Sequence, residues 1–168
     1  MLCVRYRAGR RPPPLPLIFV RPEEDGLEPA AREALGSHQA SSRFVGYTAT
    51  PERFIAAADV LALPSYREGF GNVIIEAAAC GIPAVASRIY GIADALVDGV
   101  TGLLHAPGDV EELAAVLERL AEDAALHGQL GRQAKARVER GFAQERSCGE
   151  LLAHCRVARW LRRPRQRA

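Results

Sequence analysis

Apolar and polar positions along the chain fall into short runs that switch between two periods. Residues 15–20 form a nearly continuous apolar run of β-favouring side chains, which predicts a buried strand. Residues 28–35 fit a helix, and 43–45 a brief strand stopped by Gly46. Thr50-Pro51-Glu52-Arg53 then opens a helix ending near Ala58, with Thr50 as its cap and Pro51 in its first turn. An apolar strand over 60–63 ends at Pro64, and a loop over 65–71 leads into a helix over 72–80. Further strands are predicted at 83–86 and near Leu103-Leu104, followed by helices at 110–122, 125–140 and 144–162. Short apolar strands separated by helices predict an α/β fold, a Rossmann-like parallel sheet flanked by helices on both faces.

Residues 1–14 stand outside this pattern. They are rich in arginine and end in Pro12-Pro13-Pro14, which removes backbone donors and fixes an extended chain. The expected organisation is a disordered lead-in over 1–14, one domain over 15–142, a last helix within 143–162 and a basic tail over 163–168.

Composition narrows the class. At 168 residues and 48% hydrophobic content, the chain is long enough for one domain with its own core. No apolar run approaches the roughly 20 residues needed to span a bilayer, and the N-terminus lacks the apolar stretch of a secretory signal. Cys3, Cys80, Cys148 and Cys155 form no CxxC pair, and the histidines do not cluster with them. That usage predicts free thiols in a reducing, cytoplasmic setting and no metal site. Residues 1–11 carry four arginines and residues 156–168 carry six, with no acid in either stretch. The body between them holds 12 basic and 20 acidic residues, a balance of −8. Positive ends on an acidic body exclude a nucleic-acid-binding face spread over the domain. The basic tail is an expected solvated end, with peripheral contact to anionic lipid as the other reading.

The segment from Pro64 to Pro83 carries the chemistry. It reads as strand, glycine loop, helix, glycine stop and strand. Gly69 and Gly71 let the backbone approach a ligand closely. Asn72 can cap the helix, so that the amides of Gly71, Asn72 and Val73 face outward with the positive end of the helix dipole behind them. Such a helix start suits a phosphate, and in a doubly wound sheet it lies at the carboxyl ends of the strands, where ligands bind. Glu68 and Glu76 flank it, eight positions apart. Ionised carboxylates only accept hydrogen bonds, and accepting them from sugar hydroxyls is the role that fits beside a phosphate site. The plain alternatives are a loop charge at Glu68 and a dipole-stabilised acid at Glu76. Thr101, Cys80 and His105 read as packing groups; Arg88 and Tyr90 fall within reach of the pocket with nothing fixing them there.

Glu68 through Glu76 resembles the E-x7-E motif, with its EGFG core, of retaining GT-B glycosyltransferases, glycosyltransferase family four in particular. The resemblance covers most of residues 15–142. It includes Ala57-Ala58-Asp59-Val60, Gly81-Ile82-Pro83-Ala84-Val85-Ala86, Asp98-Gly99-Val100-Thr101-Gly102-Leu103-Leu104 and Pro107-Gly108-Asp109. It implies the nucleotide-sugar-binding C-terminal half of the GT-B fold. Glu76 would contact the ribose; Glu68, Gly69, Phe70 and Gly71 the donor sugar; Asn72 and Val73 the diphosphate; and Gly46 and Tyr47 the nucleobase. The donor would be a nucleoside-diphosphate sugar, used without a metal or other cofactor, and the acceptor a glycan or lipid-linked sugar at the inner face of a membrane.

The resemblance has limits. Family members carry an Arg and a Lys upstream that neutralise the departing diphosphate; Arg5, Arg7, Arg10 and Arg11 do not reproduce that pattern, and no residue is assigned to it. Arg21 stands where members commonly have Gly. The resemblance leaves the N-terminal acceptor half unmatched, so the chain alone is expected to bind donor with little turnover, and a separate acceptor-domain chain would be its natural partner. A non-catalytic binding subunit and a nucleotide-sugar epimerase relative are the rival readings, and the continuous Glu68–Glu76 motif favours the transferase.

Overall fold

The computed structural model describes residues 2–4, 16–20 and 26–141. The expected last helix, the basic tail, the proline run and Arg21 lie outside these residues. Six strands form one sheet: β1 (Leu2–Val4), β2 (Leu17–Val20), β3 (Arg43–Val45), β4 (Val60–Leu63), β5 (Ala84–Ser87) and β6 (Gly102–His105). Five helices accompany them: α1 (Leu27–Leu35), α2 (Pro51–Ala57), α3 (Asn72–Ala79), α4 (Val110–Glu122) and α5 (Ala124–Gly141). The strand order is β3-β2-β1-β4-β5-β6.

The sheet is mixed, which corrects the expectation of an all-parallel one. Strands β2 and β3 pair in parallel, as do β4, β5 and β6, but β1 runs antiparallel to both β2 and β4. Leu2 pairs with Phe19 on one side and Ala62 on the other, and Val4 with Leu17 and Val60. The lead-in was expected to be disordered, yet its residues 2–4 fill the middle of the sheet. An open slot between β2 and β4 would leave two rows of backbone donors and acceptors without ladder partners. Leu2-Cys3-Val4 closes it with apolar side chains, and Cys3 and Val4 are fully buried.

Alternation along β4 and β5, both buried throughout, sorts the core into two layers. Leu61, Leu63, Ala84 and Ala86 face Ile55 of α2 and Ile74 and Ala77 of α3. Val60, Ala62 and Val85 face the other way, with Leu120 of α4 and Leu130 of α5. Each fully buried leucine or isoleucine of these layers contributes about 1.5–3 kcal/mol relative to exposure. Helix α5 also packs beside α3 through Ala134 and Val138 against Ala78 and Ala79. At the β3 edge, Phe19 and Phe44 stack with ring centroids 4.5 Å apart, and the Arg32 guanidinium of α1 sits 4.3 Å over Phe44. Arg32 also pairs with Glu28 one turn back.

One cap differs in position from the sequence reading, and one, Thr50 at α2, keeps its expected position but not the expected bond. The N-cap of α3 is Gly71, in the left-handed region at φ 65°, rather than Asn72, which begins the helix. At α2, Pro51 takes the first turn as predicted, but Thr50 makes no side-chain cap; the Thr48 hydroxyl instead accepts the Thr50 amide at 3.1 Å. Cys80, expected as a free thiol, is disulfide-bonded, whereas Cys3 is free. Burial of Cys3 pushes its thiol up to about 11, so it stays protonated at neutral pH.

Candidate functional site

Because β2 to β6 all point one way, their carboxyl ends share one edge of the sheet, and the loops that follow line it. Pro64 ends β4, and the chain turns through Ser65 to Phe70 before α3 begins. Within this loop the Ser65 hydroxyl donates to Glu68 Oε1 at 2.8 Å, which orients the half-buried carboxylate. Gly69 and Phe70 are exposed. Gly71 is buried; a Cβ there would stand 3.0 Å from Ile92 Cδ1, so glycine meets both the positive φ and the close packing.

Gly71 delivers the start of α3 to the edge. Its carbonyl accepts the Ile74 amide at 2.8 Å. The amides of Asn72 and Val73, which open the helix, have no intrahelical carbonyl before them and carry the positive end of the dipole. Asn72 is exposed and Val73 half-buried. No acidic side chain occupies the first turn of α3, so nothing on the helix itself quenches that positive end.

Glu76 lies one turn further on, half-buried, its carboxylate without a hydrogen-bond partner among the described residues. Burial, and then the charge of Glu52 on α2, raise its pKa above the ordinary carboxylate value. Among the described residues neither the Glu76 nor the Glu52 carboxylate has a side-chain hydrogen bond, so both keep acceptor capacity. Sequence reasoning did not find Glu52: the coupling arises because α2 and α3 pack side by side.

Gly46 and Tyr47 follow β3 on the same edge, and Tyr47 is 83% exposed. Three strand spacings separate β3 from β4, about 14 Å. The structure thus brings Glu68 to Val73 and Glu76 together around one helix start and leaves Gly46 and Tyr47 at the far end of the edge. Helix α2 bridges the two, since it begins just after the Tyr47 loop and packs against α3.

Other residues flagged from the sequence are committed elsewhere. Arg88 pairs with Asp98 at 2.7 Å. Burial raises the Asp98 carboxyl, but the Arg88 and backbone hydrogen bonds and the Arg88 charge outweigh that and hold it below its ordinary value. Thr101 is buried and its hydroxyl accepts the Val97 amide at 2.8 Å. His105 is buried with Nδ1 2.8 Å from the Ala106 carbonyl, which can only accept, so Nδ1 carries the proton and Nε2 faces the Ser87 hydroxyl at 3.5 Å. Among the described residues no three His, Cys, Asp or Glu side chains converge as a metal site, and no helix is long and apolar enough to cross a membrane.

An α/β sheet with a glycine loop opening onto a helix start at its carboxyl edge defines a Rossmann-like domain. Residues 11–123 match the family model of the Glycosyl transferases group 1, and the chain belongs to that family. A D-inositol 3-phosphate glycosyltransferase of Arthrobacter sp. (strain FB24) is 45% identical over 96 residues, 57% of this chain and 23% of that protein. The capsular polysaccharide biosynthesis glycosyltransferase CapM of Staphylococcus aureus is 34% identical over 101 residues, 60% of this chain and 27% of CapM. The chain therefore spans about a quarter of the length of these relatives. Among solved structures, Anabaena HepE in complex with UDP matches with a TM-score of 0.67 at 27% identity, over 86% of this chain and 40% of HepE. The fold is that of a GT-B glycosyltransferase domain.

Proposed function

We propose that this chain is the donor-binding half of a retaining glycosyltransferase that moves a sugar from a nucleoside diphosphate to a glycan or lipid-linked acceptor. The observation that carries this reading is the open start of α3 behind Gly71, flanked by the tethered Glu68 and the unpaired Glu76. The amides of Asn72 and Val73 take the diphosphate, where they stabilise the charge that develops as it departs. Glu68, Gly69, Phe70 and Gly71 face the sugar, Glu76 accepts from the ribose hydroxyls, and Gly46 and Tyr47 flank the base. Helix dipole and amides supply the electrostatics with no metal required. HepE complexes with UDP and with UDP-glucose support a ligand of this class. Transfer itself needs an acceptor domain, on the same polypeptide or a separate one, because orientation of both substrates comes from two halves.

Calorimetric titration of the chain with UDP, GDP and ADP tests the proposal, with Glu76→Ala as control. One nucleotide should bind, and the variant should lose it. A folded chain that binds none of the three refutes the reading.

A further inference from the structure

The segment between β5 and β6 contributes no side chain to the site described above, yet it touches the site's backbone at two points. Gly91, in the 3₁₀ turn Tyr90–Ile92, is buried against the Glu68 peptide. A Cβ built on it would stand 1.9 Å from the Glu68 carbonyl oxygen and 3.0 Å from that of Gly69. The next residue, Ile92, is fully buried and reaches Gly71, its Cδ1 3.0 Å from where a Cβ on Gly71 would lie. The turn therefore backs both ends of the Glu68–Gly71 loop.

The turn is itself held from behind. The amides of Ala95 and Leu96 both return to the Ile92 carbonyl at 3.0 Å. Arg137 of α5 donates to the Asp94 carbonyl at 2.7 Å, tying the segment to a helix that also packs against α3. Tyr90, by contrast, is 96% exposed, so backbone and Ile92 fix the turn and the tyrosine ring does not.

We propose that Gly91 is a positioning residue that sets recognition of the sugar, by holding the Glu68–Gly71 backbone in one place. The proposal rests on the reading of the site as a nucleoside-diphosphate-sugar pocket. Real Cβ atoms essentially never come within 3.0 Å of such a neighbour, so a methyl group at position 91 must displace the Glu68 carbonyl by about 1 Å. That shift moves the Ser65–Glu68 pair and the two glycine peptides. Glu76 sits beyond Gly71, on α3, whose seat in the core Ile74 and Ala77 hold. Misplacement at Gly91 thus falls on the sugar end of the ligand and spares the nucleotide end.

The test is calorimetric titration of the full chain and its Gly91→Ala variant with the nucleoside diphosphate that the wild type binds, and with that nucleotide's glucose conjugate. Gly91→Ala should keep nucleotide affinity within about twofold and lose about tenfold or more toward the conjugate. Arg137→Met, which loosens the segment from the surface, should speed amide exchange over 68–71 and give a smaller loss of the same kind. An unchanged ratio of the two affinities in Gly91→Ala overturns the inference, as does an equal loss of both, which marks a merely structural role. If Gly91→Ala does not fold, Arg137→Met decides: unaltered exchange and an unaltered ratio overturn the inference. A wild type that binds none of UDP, GDP or ADP refutes the pocket reading, and the inference falls with it.

Discussion

Replacing Gly128 and Gly131 by alanine, one at a time, should shift stability in opposite directions, although both lie in α5 three residues apart. In a helix interior, Gly→Ala gains up to about 1 kcal/mol from backbone entropy and propensity alone. At Gly128 the new methyl meets only the Arg132 Nη1, 3.2 Å away at the end of a flexible side chain that can swing clear. The gain of about 0.5–1 kcal/mol should survive there. At Gly131 the methyl would stand 2.4 Å from the Gly81 carbonyl oxygen, 3.3 Å from its carbon and 3.5 Å from Pro83 Cδ. Backbone and a proline ring cannot rotate away, so α5 must lift from the turn between α3 and β5. Overpacking costs about 1–3 kcal/mol, and against backbone and a proline ring the upper part of that range applies; less the helix gain of about 0.5–1 kcal/mol, a net loss of about 1–2 kcal/mol remains. Urea unfolding should show midpoints moving up for Gly128→Ala and down for Gly131→Ala at unchanged slope. Thermal midpoints should shift by about 2–4 °C per kcal/mol. A Gly131→Ala variant as stable as the wild type would mean that α5 is not seated on the Gly81 turn, and the support described for α3 would be wrong.

Glu76 should show its burial in the pH dependence of stability. Its folded-state pKa is raised, so the folded chain holds this proton more tightly than the unfolded one. The group's contribution is therefore full at low pH and declines as pH rises from the ordinary glutamate range through the raised folded value. Glu76→Gln should flatten that decline and raise stability at neutral pH while weakening nucleotide binding; urea unfolding between about pH 4 and 7 measures the first effect, titration the second. A variant less stable than the wild type at neutral pH would contradict the assignment. Asp109 caps α4, its carboxylate accepting the Glu112 amide at 2.8 Å while Glu112 accepts from the Ala106 amide. Asp109→Ala should cost about 1 kcal/mol in urea unfolding, and no measurable loss would show the cap to be idle.

Elements whose signal is local were legible in the sequence. The unbroken apolar runs of β4 and β5 show their burial directly, and Pro64 and the glycine after Cys80 mark where the chain turns. The loop and helix carrying Glu68 to Glu76 are contiguous, so their order was readable. What failed was what depends on partners distant in sequence. Three apolar residues at 2–4 have no periodicity to read, and only the slot between β2 and β4 makes them a strand. Gly91 looked like any loop glycine because its reason lies in a carbonyl 23 positions earlier. The coupling of Glu52 to Glu76 likewise exists only once α2 and α3 are side by side. Asn72 was the expected cap of α3, and the left-handed backbone at Gly71, invisible to composition, set the cap one residue earlier.

The reversed direction of β1 has a practical consequence for labelling. Its first residue, Leu2, pairs near the carboxyl ends of β2 and β4, so the start of the strand emerges on the rim that holds Glu68 rather than on the opposite rim. A fluorophore coupled at Leu2 would stand on the rim where the proposed donor is expected to bind, and would serve as a reporter of occupancy. A bulky affinity handle at the same place would shade the opening it was meant to leave free.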